Sequence, residues 1–170
     1  KGIFAPKGQV YYPKDIPNEI NFELGIKKGI KKACNDMINI PIPLMGVKGI
    51  KWLAGDVRKW PKKHGTKKAA LYLGAIVRMQ EEIGTGGAGF RFMYAAFLQE
   101  AAEITGKSEL KDLSGQMTAC GDRWREFAIN SARIYKSRDN FGGSYELSAD
   151  ILLDIADMEK KVFADLKKVF

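Results

Sequence analysis

Apolar residues recur at intervals of three and four along most of this chain, and that spacing predicts a helical protein. Phe22, Ile26, Ile30, Ala33 and Met37 mark a first helix, with Pro17 suited to its opening turn. The run Asn39-Ile40-Pro41-Ile42-Pro43 ends it, because each proline disfavours helical backbone in the residue before it. Val47, Ile50, Leu53, Ala54, Val57 and Trp60 mark a second helix, closed by Pro61 and Gly65. Thr66 is placed to cap a third, whose apolar face is Ala69, Leu73, Ile76, Val77 and Ile83. A fourth starts near Phe90 and runs through Met93, Phe97, Ala101 and Ile104 to Gly106.

The fifth helix carries the clearest pattern. Leu110, Leu113, Met117, Cys120, Trp124, Phe127, Ser131 and Ile134 alternate steps of three and four, an a/d seam that marks the central helix of a bundle. Gly115 and Gly121 interrupt it at a cost of about 1 kcal/mol each against Ala, so a neighbouring helix is expected to pass close to both. Asp139-Asn140-Phe141-Gly142-Gly143 reads as a loop and Ser144 as the cap of a sixth helix, which carries Leu147, Ile151, Ile155, Met158, Val162, Leu166 and Val169. The expectation is an all-α fold, a single bundle of about six helices over residues 17–170. Residues 1–16, with Gly2, Pro6, Gly8 and Pro13 around Val10-Tyr11-Tyr12, read as a short extended arm or the end of a preceding domain.

Length and composition narrow the class. A chain of 170 residues suits one domain, and 45% hydrophobic with 28% charged residues excludes wholesale disorder. No apolar run reaches the ~18–20 residues that a membrane helix needs. The opening Lys1-Gly2-Ile3-Phe4-Ala5-Pro6 has neither an initiator Met nor a signal-peptide core, so the chain reads as starting within a longer protein. Two cysteines, Cys34 and Cys120, are too few for a disulfide framework and suit a cytoplasmic protein.

Charge adds a candidate partner surface. The net charge is +8, and residues 1–68 hold 15 basic against 5 acidic side chains. Lys27, Lys28, Lys31 and Lys32 recur with helical spacing on one side of the first helix, and Lys59, Lys62, Lys63, Lys67 and Lys68 crowd a second region. Such a field favours an anionic partner over a bare solvated face only if something acidic meets it.

Candidate chemistry is sparse. His64 lies in a polar Pro-Lys-Lys-His-Gly stretch with no nucleophile tied to it, and one histidine cannot supply the paired Glu-x-x-His motifs of a dimetal bundle. Glu146, Asp150, Asp154 and Asp157 share a helix face that reads as solvated. No catalytic residue, metal site or cofactor is assigned. The most unusual segment is Gly84-Thr85-Gly86-Gly87-Ala88-Gly89 ahead of Arg91. Gly84, Thr85, Gly86, Gly87 and Arg91 form a candidate ligand site, in which amides at a helix start and a cation would take an anion. The competing expectation is a tight turn in which Arg91 is a structural tie.

The stretch from Ile83 to Ala101, with Gly84-Thr85-Gly86-Gly87, Phe90-Arg91, Tyr94 and Phe97-Leu98-Gln99-Glu100-Ala101, resembles the C-terminal helical domain of butirosin biosynthesis protein H-like proteins. Trp124-Arg125-Glu126-Phe127-Ala128 and the run from Gly46 to Pro61 also fit, so the resemblance covers most of residues 17–135. It implies a partner domain in the same protein, N-terminal and papain-like, that carries a nucleophilic cysteine. It also implies antibiotic biosynthesis as a setting, with an aminoacyl group moved from an acyl carrier protein to an amine. Nothing here matches the cysteine motif, so the nucleophile does not carry over. The resemblance therefore implies a non-catalytic domain of an acyltransferase-like or cysteine-hydrolase-like protein that binds substrate or an acidic acyl carrier protein, through Lys27, Lys28, Lys31 and Lys32. The alternatives are a structural helix-bundle interaction module and, more weakly, a nucleic-acid-binding domain, since aromatics do not interleave with the lysines. A homo-oligomer stays open.

Overall fold

The computed structural model describes residues 8–15, 19–84, 86–136 and 143–170. They form seven α-helices: α1 (Phe22–Ile38), α2 (Gly46–Val57), α3 (Trp60–His64), α4 (Thr66–Val77), α5 (Arg91–Thr105), α6 (Glu109–Tyr135) and α7 (Tyr145–Val169). A π-helical turn, Arg78–Glu82, prolongs α4, and a single tight turn, Ala88–Phe90, leads into α5. The described residues contain no strand and no helix long and apolar enough to cross a membrane.

The two long helices organise the rest. With 27 and 25 residues, α6 and α7 each run roughly 40 Å at 1.5 Å per residue. They are antiparallel: Asn130 Nδ2 donates to Ser148 Oγ (2.7 Å) near one end and Lys161 Nζ to Gln116 Oε1 (2.9 Å) towards the other. One half of this hairpin is covered by α2, α3 and α4, with Ile50, Ala54, Val57, Trp60 and Leu73 packed on Phe127, Leu152 and Ile155. The other half is covered by α1 and α5, with Ile26, Ile30 and Leu98 on Leu110, Met117 and Leu166. Met37 packs against both clusters and Trp124 closes the first of them, so the core is continuous through a waist at mid-hairpin.

The seam of α6 is buried from Leu110 to Ser131, as its spacing requires, while Ile134 is half-buried. Gly121 lets Phe92 of α5 pass: a Cβ there would lie 2.7 Å from the Phe92 ring. Gly115 has no such neighbour and faces open space, so close packing does not explain it. Ser144 caps α7, its hydroxyl accepting from Leu147 N (3.0 Å).

Several boundaries differ from the periodic reading. α1 begins at Phe22, where Asn21 caps it by accepting from Leu24 N (2.8 Å), and Phe22 itself is exposed. Pro17 lies outside the described residues, as do residues 1–7 of the arm; residues 8–15 carry no helix or strand and expose Val10, Tyr11 and Tyr12. The expected second helix is two, because the chain turns at Arg58-Lys59 and Pro61 sits in the first turn of α3. Pro61 therefore opens a helix and does not close one. Gly65, not Thr66, stands at the N-cap of α4. Ile83 is exposed; on α5 Ala101 is buried as expected, but Met93 and Ile104 are exposed, and Ala95, Leu98 and Ala102 complete the buried face. Of the expected loop at 139–143, residues 139–142 lie outside the described residues.

Candidate functional site

The glycine segment folds back on itself in left-handed backbone. Gly86, Gly87, Ala88, Gly89 and Phe90 all have positive φ, at 66°, 86°, 50°, 52° and 70°. Left-handed backbone costs an L-residue about 1–2 kcal/mol, which explains three of the glycines but not Ala88 or Phe90. The turn is held from within the chain. Glu81, at the end of the π-helical turn, accepts the Ala88 N–H on Oε1 (3.0 Å). The guanidinium of Arg125 lies 4.5 Å over the Phe92 ring, and a Cβ on Gly87 would come within 3.3 Å of it.

Arg91 follows directly, at the first position of α5, and its fork points inward. Nε and Nη2 donate to the two carboxylate oxygens of Glu159 (2.7 and 3.0 Å), and Nη1 donates to the Gly89 carbonyl (2.8 Å). Glu159 is fully buried at mid-α7 and also accepts the Trp124 indole N–H (2.7 Å). The Arg91 guanidinium stands 5.1 Å from the Trp124 ring. A buried carboxylate is tolerated only with its charge paired and its oxygens hydrogen-bonded, and these groups supply both.

This geometry bears on the expected anion site residue by residue. Gly84, Gly86 and Gly87 are in the turn, and Thr85 lies outside the described residues. The anions that meet the segment are the chain's own: Glu81 takes an amide and Glu159 takes the arginine. Arg91 is thus a tie that joins α5, α6 and α7 at the waist. Glu159 and Trp124 complete it, and the sequence carries a signal for both. Glu159 stands four residues after Ile155 and three before Val162, on the apolar stripe of α7, where an unpaired carboxylate could not stay. A buried indole also needs an acceptor.

Beside the tie is a cavity of about 280 Å³. Its walls come from Ala33, Asp36 and Met37 of α1, Phe90 and Tyr94 beside the turn, and Met117 and Phe163 of the long hairpin. Gly89 and Arg91 close one side. Tyr94 stacks in tilted fashion on Phe97 and Phe163, at 5.6 and 5.9 Å between centroids. Its hydroxyl is buried with no hydrogen-bond partner among the described residues, and burial raises its pKa. Asp36 is paired with the exposed Lys32 (2.5 Å). Sequence reasoning gave no hint of this cavity, since its lining comes from residues scattered across the chain.

The lysines of α1 lie within two turns of that wall. Lys27, Lys28 and Lys31 are exposed and form no ion pair with a described residue, whereas Lys32 holds Asp36. The acidic face of α7 is solvated and cross-linked: Asp150 pairs with Arg58, Asp154 with Arg123 and Asp157 with Lys51. Both cysteines are buried free thiols. Burial raises the pKa of each, that of Cys120 to about 12, and suppresses the thiolate that a nucleophile requires. His64 ends α3 edge-on to Tyr72, 5.3 Å between ring centroids.

A protein-family model matches residues 1–166, nearly the whole chain, and its description is Domain of unknown function (DUF4872). No curated protein and no solved structure matches the chain.

Proposed function

The chain belongs to the DUF4872 family, and on the resemblance carried by residues 83–101 we propose that it is a non-catalytic binding domain of a butirosin biosynthesis protein H-like acyltransferase or cysteine-hydrolase-like protein. Its part is to receive an acyl carrier protein or the substrate that the carrier brings. The observation that carries this reading is on α1. One helix presents to solvent three lysines that form no ion pair among the described residues and, a turn or two further on, forms a wall of an apolar cavity. An acidic carrier would meet the lysines on one side of α1, while the cavity lies on its other side and would take an apolar group separately. The two inert thiols support a non-catalytic role.

The test is a titration of acidic acyl carrier protein against this domain at low and high salt, with Lys27, Lys28, Lys31 and Lys32 all changed to Glu in a control. Exposed ion pairs are each worth under about 1 kcal/mol, so the expected binding is weak, weakens further with salt and vanishes on reversal. Binding indifferent to both salt and reversal would sink the reading. Tight, salt-sensitive binding of DNA instead would favour a nucleic-acid partner.

A structural interaction module is the second reading, and one surface favours it. Leu44 and Trp52, both more than 45% exposed, border a shallow groove over Gly46 and Gly49 at the start of α2.

A further inference from the structure

We infer that the cavity between α1, α5 and the long hairpin is a seat for one neutral apolar group, an aryl ring or a branched alkyl chain, and that Phe90 is held in strained backbone to form its wall. The inference deepens the binding role proposed above and rests on the domain being a binding domain.

Size comes first. An apolar cavity of ~150 Å³ is enough for benzene. The volume here is about 280 Å³ and the cavity opens to solvent beside the half-exposed Phe90, so a ring with a short substituent fits. The walls are mostly apolar side chains, Ala33, Met37, Phe90, Met117 and Phe163, with Tyr94 adding one hydroxyl that is buried without a partner among the described residues.

Charge then restricts the ligand. Two ionic groups reach the cavity, and each already has its partner. Arg91 is spent on Glu159, with both oxygens engaged, and Asp36 is paired with Lys32. A carboxylate ligand would lose its hydration and find no uncommitted cation among the lining residues, with Asp36 repelling it. A neutral molecule meets no such penalty.

Phe90 supplies the independent observation. A bulky residue at φ 70° is a backbone outlier. Such strain persists where surrounding structure or function requires the side chain. The fold gives little reason for it, because Phe90 is 52% exposed and belongs to neither core cluster. Glycine would satisfy the turn at less backbone cost. What the phenyl ring does do is line this cavity. Tyr94 repeats the theme from the next turn of α5, where its unpartnered hydroxyl makes Tyr a costlier choice than Phe for the same wall.

The experiment titrates the whole chain with benzyl alcohol, cyclohexanol and benzoate, followed by amide and methyl NMR shifts, with thermal unfolding of each variant alongside. Ala33→Phe fills the cavity from α1, and Phe90→Gly removes the wall while relaxing the turn. The expected result is saturable binding of the two neutral probes, with shifts at Met37, Met117 and Phe163, and at least tenfold weaker binding of benzoate. Both variants should lose at least tenfold in affinity while still unfolding cooperatively. Absence of saturable shifts, equal binding of benzoate, or affinity that survives Ala33→Phe would overturn the seat. Undiminished affinity in Phe90→Gly would overturn the role of Phe90. Retained cavity binding with no carrier-protein binding would remove the proposed function alone, and the reverse outcome would remove only the seat.

Discussion

Arg91 shows how far one side chain's meaning depends on its partner. Next to a glycine-rich turn it has the makings of an anion receptor, yet both oxygens of a buried Glu159 occupy its fork. Removing one member of such a pair leaves a charge buried and unmatched, at a typical cost of about 3–5 kcal/mol, whereas apolar replacement of both is often close to neutral. Arg91→Met and Glu159→Met should each lower stability in urea by several kcal/mol, and the double variant should recover most of the loss. Single variants within about 0.5 kcal/mol of wild type would show that the pair is not the tie described here. The glycines of α6 give a sharper contrast at the same scale. Gly121→Ala forces the Phe92 ring aside from a 2.7 Å approach and is expected to destabilise by about 1–3 kcal/mol. Gly115→Ala meets nothing within 4 Å and should stabilise by about 1 kcal/mol through helix propensity. Equilibrium unfolding of the pair reads both signs in one experiment.

Among the elements, the break between α2 and α3 is the least expected, and its cause is local. Arg58 remains near helical backbone, but the chain pivots so that Pro61 enters in a first turn, where its missing N–H costs nothing. Asp56 fastens the corner by accepting the Trp60 indole N–H (2.7 Å). That hydrogen bond, more than the nearby Lys63, holds the Asp56 pKa below the usual carboxylate value. A depressed carboxylate pKa stabilises the fold above the unfolded value, about 3.9, and the contribution is lost as pH falls through the folded value. The thermal midpoint of the wild type should therefore drop on going from pH 5 to pH 3. Asp56→Asn should begin lower at pH 7 and fall less over that interval. Parallel curves for the two proteins would count against this account of the corner.

At the scale of the molecule, the fold is a long antiparallel hairpin with a different set of helices on each half. The hinge between the halves is polar: the tie from Arg91 to Glu159 and Trp124 sits where the two core clusters meet. A polar group at that place fixes the register of both α5 and α6 against α7, since a shift by one turn would strand Glu159 without its arginine or without the Trp124 indole. Hydrogen exchange should report this as cooperation between the halves. In Arg91→Met the amides at the start of α5 should exchange much faster than wild type at pH 7, and those of α6 around Phe127 only modestly faster. Uniform acceleration along the whole chain would instead mark the tie as one more contribution to global stability.

The helical class, the central seam of α6 and the capping of α7 by Ser144 were all legible in residue order, because each depends on neighbours within a few positions. So was the solvated acidic face of α7, a matter of helical spacing. The break at Arg58-Lys59 and the burial of Ala95 and Ala102 in place of Met93 and Ile104 were not, since both depend on which helix lies opposite. The glycine segment announced an unusual turn in its composition, but which anion meets it was decided by Glu81 seven residues before Ala88 and Glu159 sixty-eight after Arg91. The cavity stands furthest from the sequence. Its lining runs from Ala33 to Phe163, and only packing brings those residues round one space. Local backbone preference sets the elements, whereas burial, which compares every surface with every other, decides what each element's face is for.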